Sequence, residues 1–185
     1  MVLRDGRRLA TAIAVVALTC LTVAACGDDD DDEADEGESE ASASGAGAEE
    51  DCVLVGNSEA EPTATVEVNL AEFAIAPVPA EVPAGTVEFV AVNDGEEPHE
   101  VVIARYDGEP GDIPVDDSGA ADESQLPADA VIGEIEGFAS GNTCSGAFDL
   151  EAGQYALFCN IVEEEDSGEM EAHFSEGMHT TFTVG

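Results

Sequence analysis

The stretch Gly153-Gln154-Tyr155-Ala156-Leu157-Phe158-Cys159, followed by His173-x4-Met178 and then Thr180-Thr181-Phe182-Thr183-Val184, decides how the chain is read. Aromatic, β-branched and leucine residues make the first and last of these strand-like, and a thiol ends the first. An imidazole and a thioether sit in the connection between them. Working outward, the same texture recurs. Val66, Val68 and Leu70 occupy alternate positions in 63–73, with Glu67 and Asn69 between them. Thr86–Val92 is β-prone and stops at Asn93-Asp94-Gly95; His99–Arg105, Val131–Ile135 and Gly146–Leu150 repeat the pattern. Pro77, Pro79 and Pro83 interrupt the pattern, and Ala84-Gly85 reads as a turn. Short strands at roughly ten-residue spacing with Pro, Gly and Asx turns predict an all-β sandwich or barrel. Asp107–Ala130, rich in Gly, Pro, Asp and Ser, reads as a long surface excursion with a short helix near 123–130.

The two ends of the thiol-to-thioether segment carry chemistry. Cys159 ends a strand, so its sulfur is rigidly held; His173 and Met178 lie in the loop returning to the next strand, where both can fold back over that sulfur. Pro98-His99, ahead of Val101-Val102-Ile103, supplies a second imidazole from a separate strand. Each residue alone has a plainer role: a strand-edge histidine, an apolar buried thiol, a core methionine, a solvated loop histidine. Together, two imidazoles, one thiolate and a weak thioether form the donor set of a blue copper site.

The segments Glu72-Phe73, Pro83-Ala84-Gly85-Thr86-Val87-Glu88-Phe89, Asn93-Asp94-Gly95, Pro98-His99 and 153–159 resemble a cupredoxin, the plastocyanin/azurin group of blue copper proteins, over about 63–185. The resemblance implies a Greek-key β-sandwich holding one type 1 copper ion, with His99, Cys159 and His173 as strong equatorial ligands and Met178 axial. The chain departs from the family in one place. Thirteen residues, Asn160–Ala172, separate the cysteine from His173, and six of them are Asp or Glu. That insertion leaves His179 as an alternative to His173, although the His173-x4-Met178 spacing fits the family. It also leaves open a metal-free domain of the same fold. Glu100, beside His99, and Asn93 are candidates to brace the ligand loops.

Ahead of this domain the chain reads as an export signal followed by a spacer. Arg4, Arg7 and Arg8 precede the apolar run Leu9–Ala25, and Val23-Ala24-Ala25-Cys26 resembles a bacterial lipobox. The expected organisation is a signal at 1–25, a lipid on Cys26, an acidic disordered tether over 26–51 and a domain at 52–185. Anchoring to the outer face of the bacterial cell membrane by lipid alone follows. Cys52 and Cys144 are left as a disulfide pair in an oxidising compartment.

The 43 acidic residues against 4 Lys and Arg give a net charge of −39. Without 1–25, Arg105 is the last cation and no lysine exists. Nucleic acid is excluded as a partner, because phosphate binding needs a basic face. A basic redox partner, adaptation to high salt, or both account for the charge. Only three histidines exist, too few for a second His-rich copper centre, and no hydrolase signature is present, so an enzyme is not expected. The sequence therefore predicts a monomeric, membrane-tethered electron carrier, with a copper-delivery protein or a metal-free interaction module as alternatives.

Overall fold

The computed structural model describes residues 52–164 and 167–185. The expected signal, the lipid-attachment Cys26 and the tether lie outside them. Among the described residues no helix is long and apolar enough to cross a membrane.

Among the described residues, twelve strands build two main sheets and one small two-stranded sheet. They are β1 (Leu54–Val55), β2 (Ala64–Ala71), β3 (Ala74–Val78), β4 (Glu81–Val82), β5 (Gly85–Asn93), β6 (His99–Arg105), β7 (Val131–Phe138), β8 (Thr143–Leu150), β9 (Gly153–Phe158), β10 (Val162–Glu164), β11 (Met170–Ala172) and β12 (His179–Val184). One sheet runs β1-β7-β6-β9-β12-β4 and the other β3-β2-β5-β8, and the chain passes repeatedly between them. The all-β sandwich expected from the strand texture is the architecture observed.

Alternation supplies the core. Val66, Val68 and Leu70 on β2, Val87, Phe89 and Ala91 on β5, and Val101 and Ile103 on β6 are all fully buried in one cluster. Phe148 on β8, Tyr155 and Leu157 on β9, and Phe182 on β12 complete it, and Phe89 meets the rings of Phe148 and Phe182 at 6.1 and 5.3 Å. The prolines after Phe73 do not end the sheet. Pro77 sits inside β3, an edge strand, where a residue without an N–H costs no ladder bond on the open side.

The segment 107–130 is more than a surface excursion. Ile113, Ala121, Leu126 and Ala130 are buried in a second cluster with Val102, Ala104, Ala156, Phe158 and Phe174. These are the β6 and β9 positions that alternate with the main-core residues, so the segment covers the opposite face of the six-stranded sheet. Its helical content is two 3-10 turns, Pro110–Asp112 and Glu123–Gln125, and the expected helix to 130 is not formed. Too few apolar residues are strung among the Gly, Pro and Asp for a helical stripe, yet enough to cap a sheet face.

Cys52 and Cys144 form a disulfide spanning 92 residues of sequence. Cys144 lies on β8 and Cys52 just ahead of β1, so the bridge ties the two main sheets together at the domain's first residue.

Candidate metal centre

Three polypeptide segments bring His99, Cys159 and His173 together at one end of the sandwich, and all three side chains are fully buried. His99 opens β6, where the register against β7 shifts between His99 and Val101. Cys159 follows the last residue of β9, its N–H donating to the Met178 carbonyl at 3.1 Å. His173 and Met178 are joined by a tight turn: Met178 N–H donates to the His173 carbonyl at 2.9 Å and Gly177 N–H to that of Phe174 at 3.0 Å. Gly177 has φ +103°, a left-handed conformation that glycine adopts without a Cβ penalty. Met178 is also fully buried.

His99 Nδ1 lies 3.2 Å from His173 Nδ1, and His173 Nδ1 lies 3.4 Å from Cys159 Sγ. Ligand atoms held about 2.0–2.3 Å from one metal ion at roughly tetrahedral angles are separated by about 3.3–3.8 Å. Those two separations are close to what a shared ion requires, and all three donors lie within 4.8 Å of one another. The structure places His179 elsewhere. It pairs with Phe158 on the ladder, and its ring packs on Phe174 at 5.0 Å, on the side covered by 107–130.

A carboxylate stands behind each ring. Glu72 Oε1 lies 3.2 Å from His99 Nε2 and also accepts the N–H groups of Glu96 and Glu97 at 2.6 and 2.9 Å. These backbone donors, more than the His99 ring, hold the Glu72 carboxyl down at about 2. His173 Nε2 lies 3.5 Å from Glu97 Oε2. Tied to Glu72 at Nε2, the His99 ring presents Nδ1 as its lone-pair donor, which is how metal-binding histidines are oriented; His173 Nε2 is not tied in this way. Gly95 makes room for the Glu72–His99 pair: a Cβ there would lie 2.8 Å from His99 Nε2 and collide with Glu72 Oε1.

Burial lowers the pKa of both imidazoles, and on His173 the neighbouring His99 lowers it further; Glu72 opposes the shift on His99. Burial also pushes the Cys159 thiol up to about 12. Neutral imidazoles are ready to bind metal, whereas the thiol must surrender its proton when an ion enters.

Two braces connect the ligand segments. Asn93, fully buried, donates to the carbonyls of Glu97 at 2.8 Å and Phe138 at 3.2 Å, and its Oδ1 accepts Gly95 N–H at 3.0 Å. Glu100 accepts the Asn160 N–H at 2.7 Å, linking the residue after His99 to the residue after Cys159. Glu97 and Glu163 were missed by sequence reading, and Glu72 was noticed only as part of a motif. A chain with 43 acidic residues offers no contrast by which a particular glutamate stands out.

Within the insertion, β10 and β11 pair antiparallel, closed at their base by His173 N–H on the Ile161 carbonyl at 3.0 Å. Phe73 packs edge-on against the His173 ring at 5.2 Å.

No family model and no curated relative matches the chain. Among solved structures it is similar to auracyanin B, with 22% identity over 70% of this chain and 94% of that one at a TM-score of 0.49. It is also similar to auracyanin from Roseiflexus castenholzii, with 22% identity over 68% and 99% of the two chains and a TM-score of 0.48. Auracyanin A, a "blue" copper protein from Chloroflexus aurantiacus, is 20% identical over 65% and 98%, with a TM-score of 0.45. The sandwich described above gathers two imidazoles, a thiol and a thioether from β6 and the β9–β12 connection at one end, the arrangement that the resemblance to the cupredoxins implies.

Proposed function

We propose that the chain binds one copper ion through His99, Cys159 and His173, with Met178 as a weak fourth ligand, and acts as a blue copper electron carrier. One observation carries the reading: the Nδ1 atoms of two buried imidazoles and a buried sulfur stand 3.2 and 3.4 Å apart at the end of a sandwich. The donors fit the ion by softness as well as spacing, since thiolate and imidazole together suit both copper oxidation states. Copper bound there supplies reversible one-electron chemistry.

The protein's own part is positional. The strand ends and the His173–Met178 turn hold the donors in one geometry, so little rearrangement accompanies each electron. Glu72 fixes His99 from behind and Asn93 locks the 93–97 turn. Complete burial of the ligands excludes water, so substrate chemistry at the ion has no entry. These features favour electron transfer over catalysis. The acidic surface favours a basic redox partner. The export signal and Cys26 favour a lipid-anchored protein on the outer face of the bacterial membrane.

The test is copper titration of the chain beside Cys159→Ser. An intense visible thiolate-to-copper band that the serine variant lacks is expected, with a reversible potential. A colourless protein that takes up no stoichiometric copper defeats the reading.

A further inference from the structure

We propose that Glu97, Glu163 and the Nε2 atom of His173 form a second cation site, one that takes a borderline divalent metal and shares the His173 ring with the buried centre. One donor atom from each lies within 4.8 Å of the others. The decisive group is the imidazole. His173 is fully buried, and its Nε2 has no hydrogen-bond partner. It points at Glu97 Oε2 from 3.5 Å, too far for a well-formed hydrogen bond. A buried ring nitrogen left in this way is costly unless something occupies the gap.

Strand pairing sharpens the case. β10 and β11 place Glu163 directly opposite Glu171. Like charges facing one another across a ladder are destabilising, and a cation beside them offsets that cost. Glu163 is also near enough to act electrostatically on His99, Cys159 and His173. Glu97 and Glu163 are half-buried as residues, while Glu97 Oε2 and His173 Nε2 are themselves shielded, so the site lies just beneath the surface, outside the inner donors. Glu163 belongs to the insertion that distinguishes this chain from the family it resembles.

One imidazole and two carboxylates, with positions left for water, suit zinc and its neighbours in the first transition row. Magnesium and calcium prefer all-oxygen shells. A metal at Nε2 takes the ring's second lone pair. When Nδ1 is also coordinated, the ring bridges two ions and its remaining proton leaves to water. Occupancy of the outer site then alters the electron donation of His173 to the inner one.

The inference rests on the copper reading only in the shared ring, and the test separates the two. The full chain is loaded with one equivalent of copper and the thiolate band recorded before zinc is added. Zinc is then titrated in concentrated KCl with magnesium in excess, which suppresses diffuse binding to the acidic surface. The expected result is one equivalent of zinc bound with copper retained and the band shifted. In Glu163→Gln and in Glu97→Gln, zinc affinity falls by about tenfold or more and the band no longer moves. Zinc bound equally by parent and variants, zinc that leaves the band unmoved, expulsion of copper, or no zinc uptake overturns the proposal. If no copper band forms, the copper reading has failed by itself. The zinc comparison then runs between Cys159→Ser and Cys159→Ser/Glu163→Gln, where equal affinities overturn the second site. Thermal midpoints of the glutamine variants show whether the fold is retained.

Discussion

Glu72 holds three donors at once: two backbone N–H groups of the 94–97 turn and the His99 ring. Charge-assisted bonds of this kind contribute about 1.5–3 kcal/mol, so Glu72→Gln should lower stability by an amount of that order, read from denaturant unfolding. The sign with pH follows from the depressed carboxyl. The folded value, about 2, lies below the ordinary 4.5, so this stabilisation is fully present above 4.5 and drains away as pH falls toward 2. Glu72→Gln should therefore flatten the acid limb of the unfolding profile. Gly95→Ala tests the same corner sterically. The added methyl displaces Glu72 or His99, and copper affinity should fall more than thermal stability does, measured by competition with a chelator. At this scale the sequence reveals ligands better than their supports. His99, Cys159, His173 and Met178 belong to residue types that are rare in this chain, whereas the glutamates behind the rings are its commonest polar residue.

At the scale of elements, the strands that hold the ligands announce themselves because apolar alternation and turn residues coincide there. Strands of two or three residues, such as β1, β4, β10 and β11, are too short to show a period. The β10–β11 hairpin is hidden further by its charge, since Glu163, Glu164, Glu169 and Glu171 read as a solvated loop until pairing is known. The disulfide was legible by elimination among five cysteines. Closing a 92-residue separation, it should stabilise the fold by about 2–5 kcal/mol, and the Cys52→Ser/Cys144→Ser variant should show that loss in chemical unfolding. Replacing 162–171 by a short turn should leave the sandwich folded. Copper release to an external chelator should then accelerate, because it no longer waits for local opening of the hairpin.

At the scale of the whole molecule, the net charge of −39 works against compactness. Carboxylates crowd together around Glu134, whose pKa is raised first by burial and then by Glu136 and Glu123. A raised carboxyl reverses the sign found for Glu72. Its ionisation in the fold is disfavoured, so stability is lost as pH climbs from 4.5 through the folded value. Glu134→Gln should melt higher than the parent above neutrality and match it in acid, with the gap narrowing as KCl is added, because ions shorten the reach of the repulsion to about 3 Å near 1 M.

The complete burial of His99, Cys159, His173 and Met178 has a consequence for how such a centre comes into being. On the copper reading, an electron can tunnel through the side chains that cover these ligands, whereas an ion must wait for that cover to open. Metal uptake and release then run at the pace of local opening around the His173–Met178 turn, while electron exchange does not, so the same burial slows one traffic and leaves the other fast.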